Sequence, residues 1–436
     1  MAFQQQLVVF IMAFFMYLST YEHEAIAQWL PSYNSVVTQV TKHTDSTKPL
    51  YSINIMTKYV WDDTRHTNFL IDIDAPFIWY DCIPKWDMYQ NGCDTNTNCA
   101  PPVSCGESQC TDIQTSSSYK QYSSSCPPAT NSSTTLPGWD GCTCPVSIVN
   151  PIKGSCSEAV LTYGDLMIES PFFVSLHPNA LCAPSSSFDS FPKNVSGVVA
   201  LSTSSYALPS LSVTSGLFRR SFSLCLPSSV SNTGVFFLGT SSYYFFPNSK
   251  LDVRSYLSYT PLLNHPDSFG YFIGVKSIVI KKRAINVPAN TTTKLSTLEP
   301  YTTFRTDIYN QVVRRFLKVT RELTMAKPIA PFDFCYEASA NGTTKVGLKV
   351  PNIDFSLEDG KNWTVHTANS MKQVTKDVAC LAFVDGGATS EHGIVIGTHQ
   401  MEDNFLTFDL VNSTLGFSSS LLTKGTSCSS FKSIGN

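Results

Sequence analysis

Two carboxyl groups held close enough to share one proton form an acid–base pair, because their repulsion splits their pKa values and leaves one ionised while the other stays protonated. Asp72 is a candidate for one such group. It ends an apolar approach and stands four residues before a proline, in Leu70-Ile71-Asp72-Ile73-Asp74-Ala75-Pro76. A second segment echoes that pattern, Lys294-Leu295-Ser296-Thr297-Leu298-Glu299-Pro300. There the matching position is Ser296, whose hydroxyl ionises far above any working pH and cannot share the proton. Other catalytic patterns are missing: the chain holds no Gly-x-Ser-x-Gly, no Gly-x-x-x-x-Gly-Lys-Ser/Thr and no His-Glu-x-x-His. Its histidines show no metal-ligand spacing, so neither a metal nor a cofactor is expected. The Lys281-Lys282-Arg283 and Arg219-Arg220 runs read as solvated turns.

The elements that position these residues are mostly strands. The chain has 436 residues, 42% apolar and only 14% charged, enough for two substantial cores. Short β-rich runs punctuated by Gly, Pro, Asn and Ser recur, among them 51–55, 69–73, 77–80, 234–238, 271–280 and 405–410. The clearest helical pattern is Asp307 to Leu323, with a cap at Thr306 or Asp307. A second echo, Ser196-Gly197-Val198-Val199-Ala200-Leu201 against Gly393-Ile394-Val395-Ile396-Gly397, supports duplication of one lobe. The fold class expected is all-β with few short helices. The division expected is a leader over 1–27, an N-terminal lobe over 28–220 and a C-terminal lobe over 221–436.

The leader rests on the apolar run Leu7 to Leu18 followed by Ala25-Ile26-Ala27, a length and cleavage pattern of a signal peptide. No other segment is apolar enough to cross a membrane. With 30 basic against 33 acidic residues, two of the acids in the leader, nothing favours nucleic-acid or polybasic lipid binding. All fourteen cysteines follow the leader, and nine crowd a Ser/Thr/Pro/Asn-rich insertion over 82–156. An even count in a secreted chain reads as disulfides; a metal knuckle at Cys142-Thr143-Cys144 is disfavoured because no histidine lies between His66 and His177. Sequons at Asn131, Asn194, Asn290, Asn341, Asn362 and Asn412 fit a glycosylated extracellular surface.

At the level of motifs, the segment Phe69 to Cys82, with Trp79 seven residues after Asp72, resembles the first active-site strand of pepsin-like aspartic proteases. Phe222-Ser223-Leu224-Cys225-Leu226, Phe334-Cys335-Tyr336, Cys380-Leu381-Ala382-Phe383, the stretch Ile394 to Leu410 and Leu415-Gly416-Phe417 are similar to plant members of that fold. More narrowly, Leu295 to Tyr301 and Val384-Asp385-Gly386-Gly387 resemble the plant group of extracellular dermal glycoprotein, basic 7S globulin and the xyloglucanase and xylanase inhibitors. The resemblance implies a bilobal pepsin-like fold and Cys225–Cys428 and Cys335–Cys380 bridges. It places Asp72 at the first catalytic Asp, Ile73 and Asp74 where Thr and Gly stand, Ser296 at the second catalytic Asp and Leu298 at its Gly. An active peptidase is therefore not expected, Asp72 being a structural remnant. Tyr163, in Leu161-Thr162-Tyr163-Gly164-Asp165, reads either as a vestige of the protease flap tyrosine or as an ordinary strand tyrosine.

The function this resemblance implies is inhibition of a microbial cell-wall glycoside hydrolase, of the GH12 or GH11 class, by a monomer in the apoplast. In the xyloglucanase inhibitors, loop arginines meet the target's catalytic carboxylates, and Arg suits that task because its planar fork pairs bidentately. Here Glu391 and Lys345 align with those arginines, and His392 stands one place along. Glu391 would be repelled by a carboxylate pair, and Lys345 keeps the charge without the fork. The alternative readings are a receptor-like binding glycoprotein for a peptide or cell-wall carbohydrate, a storage or nectar role, and a residual aspartic peptidase.

Overall fold

The computed structural model describes residues 35–58, 64–85, 98–127, 142–164, 166–170, 172–176, 178–214, 218–240, 252–338, 343–344 and 347–431. The expected leader, Cys93, Asn131, Asn341 and Lys345 lie outside them.

A 15-stranded sheet runs through the molecule and draws on both halves of the chain. Ser35–His43, Leu50–Lys58 and Thr64–Asp72 form an antiparallel meander. On its other side Ser35–His43 pairs with Gly234–Gly239, which pairs with Ser221–Cys225. Ser221–Cys225 then takes Phe405–Asp409 from near the end of the chain as its neighbour. Ser221–Cys225 and Gly234–Gly239 are buried at every residue, as expected of strands covered on both faces. Phe222 stacks on Phe408 at 4.5 Å between ring centroids. Burying a ring of this size contributes about 2–3 kcal/mol.

The sequence echo is also an echo of topology. In the first half Val195–Ala200 runs parallel to Thr64–Asp72 and antiparallel to Trp79–Asp81, which runs parallel to Asn179–Ala183. In the second half Ile394–Ile396 runs parallel to Thr293–Leu295 and antiparallel to Thr302–Phe304, which runs parallel to Phe383–Asp385. Each arrangement brings one short apolar run to its centre and leaves a turn at its tip, Asp72 in one and Ser296 in the other.

Two sequence-based boundaries differ from the structure. The run over 271–280 is divided at Gly274 into Ser268–Ile273 and Val275–Ile280, which belong to different sheets. The helix is Thr306–Val319, shorter at its C-terminal end than the periodicity suggests. Thr320 is its C-cap, leaving helical geometry at φ −109° while its N–H and hydroxyl both bond the Phe316 carbonyl. Its start has no side-chain cap; Arg305 instead holds Asp307 in the first turn, where a negative charge suits the helix dipole.

Among its described residues the Cys-rich segment contains two short helices, Ser108–Thr115 and Ser117–Tyr122, and one arm of a hairpin, Pro145–Val149, that pairs with Cys156–Tyr163. Cys105–Cys142, Cys110–Cys144 and Cys126–Cys156 close it, Cys82–Cys182 ties its start to the sheet, and Cys99 is disulfide-bonded too. In the second half the structure pairs Cys225 with Cys428 and Cys335 with Cys380. No described cysteine is free.

Candidate functional site

Asp72 ends the strand Thr64–Asp72 and is 5% exposed. Its Oδ1 accepts the backbone N–H groups of Asp74 at 2.8 Å and Ala75 at 3.1 Å, which closes the turn. Ser296 builds the same turn with a hydroxyl: its Oγ accepts from the N–H groups of Leu298 at 3.2 Å and Glu299 at 3.1 Å. Thr297 joins the two turns. Its hydroxyl donates to the Ile71 carbonyl at 2.8 Å and accepts from the Ile73 N–H at 3.3 Å, all within buried surroundings. Ile73 has no hydroxyl and cannot return that bond, so the crosslink runs in one direction only.

Asp72 is a buried acid with a second carboxylate, Asp74, two residues along the same turn. Burial pushes its carboxyl up to about 6, and repulsion from Asp74 adds to the rise, against the two backbone N–H groups and Lys294. Asp74 itself is engaged elsewhere. It forms an ion pair with Lys294, whose side chain is 16% exposed, and accepts the Ser268 hydroxyl at 3.2 Å. Gly270 leaves room for it, since a Cβ there would collide with the Asp74 carboxylate. The second half thus presents a hydroxyl and an ammonium to the first half's carboxylates.

Phe77, five residues after Asp72, meets Tyr122, Tyr119 and Tyr206 at 5.9, 6.5 and 5.4 Å. Tyr122 is the tyrosine near Asp72: burial raises its pKa and the Asp72 charge adds to the rise. Its hydroxyl is held by the backbone of Val149, accepting from the N–H at 2.8 Å and donating to the carbonyl at 3.1 Å. The Tyr163 hydroxyl goes to Glu107. The aromatic cover over the Asp72 turn therefore includes residues of the Cys-rich insertion, which the sequence reading did not assign to the site.

The loop after Asp385-Gly386-Gly387 leaves His392 only partly open to solvent. The ring is half-buried, faces Phe272 at 5.3 Å and His265 at 5.9 Å, and its Nδ1 lies 3.0 Å from the Thr292 hydroxyl. Burial, reinforced by Lys294, lowers its pKa. Phe272, on Ser268–Ile273, packs against the ring and partly buries it. Glu391, its neighbour, is exposed. Of the described sequons, Asn194, Asn290, Asn362 and Asn412 are all exposed, and the Asn412 amide donates to Asp409 at 2.9 Å.

A second polar cluster was not anticipated. Lys42 and Glu402, 5% and 4% exposed, form an ion pair at 2.6 Å, and the Tyr51 hydroxyl donates to the same Glu402 oxygen at 2.7 Å. His399 lies with Nδ1 3.2 Å from Glu402 and Nε2 3.0 Å from the Met371 carbonyl. Burial alone would raise the Glu402 pKa, but His399 and Lys42 more than offset it and hold the carboxyl at about 2. The only signal in sequence is the His399-x-x-Glu402 spacing on one turn.

Both halves match family models: residues 55–240 match "Xylanase inhibitor N-terminal" and residues 270–419 match "Xylanase inhibitor C-terminal". Gamma conglutin 1 of Prunus dulcis is 37% identical over 345 residues, 74% of this chain and 79% of that protein. A protein named probable aspartic proteinase GIP2, of Nicotiana benthamiana, is 33% identical over 83% of this chain and 84% of its own. A solved structure, described as the crystal structure of edgp, superposes with a TM-score of 0.78 at 30% identity, over 92% of this chain and 99% of that one. The chain belongs to the xylanase-inhibitor-like family of aspartic-protease-like plant proteins, and its bilobal all-β fold is the fold of that family.

Proposed function

We propose that the protein is a secreted pseudoenzyme that binds and inhibits a microbial cell-wall glycoside hydrolase, with lobes over 28–220 and 221–436. The observation that carries the loss of peptidase chemistry is the pair of turns joined by Thr297, which holds one buried carboxyl and one hydroxyl. A neutral hydroxyl opposite Asp72 gives no second acid to split the pKa values, and Asp74 is neutralised by Lys294. Inhibition is supported by the family description that both halves match. Secretion is supported by the leader pattern and by six disulfides among the described residues.

The half-buried His392 and the exposed Glu391 favour a target surface other than the paired carboxylates that an arginine would engage. The test is titration of the purified protein against GH11 xylanases and GH12 xyloglucanases while residual hydrolysis is followed. Loss of activity toward a saturating ratio supports inhibition, whereas full hydrolysis at micromolar protein excludes those targets. Lys345→Ala weakens inhibition if its loop makes the contact. Full retention of potency moves the inhibitory interface to another loop.

A further inference from the structure

The hairpin formed by Val275–Ile280 and Arg283–Asn286 turns through just two residues, Lys281 and Lys282, because Ile280 pairs directly with Arg283. Both loop residues have positive φ, 48° and 63°. This is the geometry of a tight primed turn, for which Asn-Gly is the low-energy choice and lysine is strained. The strain is held from below. Arg315, on the helix Thr306–Val319, donates to the carbonyls of Ile280 and Lys281 at 3.1 Å each and fixes the tip against the helix. On that helix's solvent face Arg314 and Lys318 lie one turn apart, both exposed. Lys281, Lys282, Arg283, Arg314 and Lys318 are exposed, and none forms an ion pair with a described residue.

We infer that this band of cations is a binding surface for a linear acidic polysaccharide, a polyuronate. The chemistry around the band selects that occupant. None of the large exposed apolar side chains among the described residues lies in the band, so it lacks the apolar or aromatic anchors of a protein interface hot spot. The same lack leaves no platform for stacking bases. What the band offers is a series of separate cations, each able to make a charge-assisted hydrogen bond to a carboxylate of an extended chain. This surface is independent of the hydrolase-inhibitor reading.

The experiment is retention of the purified full chain on immobilised polygalacturonate, with the fully methyl-esterified polymer as the uncharged control. Elution is compared at about 50 mM and about 300 mM sodium chloride, which shortens the range of the charge interaction. The informative variant is Lys281→Asn with Lys282→Gly, which removes two charges and gives the turn its preferred residues. Its melting temperature is expected to equal or exceed that of the natural chain, so lost binding cannot be ascribed to lost folding. Retention should fall about ten-fold in this variant and also fall in Arg314→Ala with Lys318→Ala, and the natural chain should elute at the higher salt. Absence of retention by the natural chain overturns the proposal. So does equal retention on the methyl-esterified polymer, or unchanged retention in the Asn-Gly variant.

Discussion

Asp72 keeps the hydrogen bonds of a turn-forming carboxylate, and the matching turn of the second half is closed by the Ser296 hydroxyl. With the Asp72 pKa near 6 instead of the ordinary value near 3.8, the folded protein holds a proton there that the unfolded chain releases. The contribution to stability is therefore fully present below about pH 4 and is lost as pH rises through about 6. The ionised, buried group costs on the order of 3 kcal/mol at neutral pH. Asp72→Asn retains a carbonyl oxygen for the N–H groups of Asp74 and Ala75 and abolishes the charge. Urea unfolding should show this variant more stable than the natural chain at pH 7 by about 1–3 kcal/mol, with the difference vanishing near pH 4. A variant less stable at pH 7 would contradict this account of the site. Thr297→Val should cost about 1–3 kcal/mol, because it leaves the Ile71 carbonyl and Ile73 N–H buried without their partner. Asp72, Ser296 and Thr297 were legible in the sequence because the two segments echo each other. The Asp74–Lys294 pair was not, since the two residues lie 220 positions apart and become neighbours only when the halves meet.

At the scale of elements, the buried Lys42–Glu402 cluster fastens Ser35–His43 and Leu50–Lys58 to the turn Thr398–Met401. Removing one partner of such a pair strands the other charge, so Glu402→Gln should destabilise by about 3–5 kcal/mol in thermal or urea unfolding. Lys42→Met added to Glu402→Gln should recover part of that loss. The Glu402 pKa is depressed from the ordinary 4.5 to about 2, so its stabilising contribution is present above about pH 4.5 and lost as pH falls through about 2. The strands were readable from short β-rich runs and turn residues, and the helix from its apolar period. Their ends were less readable. The helix ends at Val319 although the apolar period runs on to Leu323, and Gly274 divides a continuous apolar run between two sheets. Lys42 carried no signal, because a lysine on a strand reads as solvent-facing until Glu402, 360 residues away, is placed beside it.

Across the whole molecule, one continuous sheet and a duplicated strand arrangement bring the two turns together, and disulfides brace the parts with least core. Cys105–Cys142, Cys110–Cys144 and Cys126–Cys156 close loops with sequence separations of 37, 34 and 30, and each closure is worth about 3–4 kcal/mol in chain entropy. Reduction should therefore loosen the cover over Asp72 first, read as early hydrogen exchange at Tyr119 and Tyr122, before the central sheet opens. Exchange that begins instead in Gly234–Gly239 would contradict that order. The all-β class and the duplication were legible from composition and repeated motifs. The packing of the insertion's tyrosines on Phe77 was not, because it depends on disulfides and on hydrogen bonds to the 145–149 strand that bring distant parts of a Ser/Thr-rich segment together.

The central claim, that the paired turns form a structural junction and no longer a proteolytic centre, is tested most directly by cleavage of denatured protein between about pH 3 and pH 6, with and without pepstatin. The account predicts no turnover above the blank at any of these pH values. Pepstatin-sensitive cleavage that disappears in Asp72→Asn would contradict it.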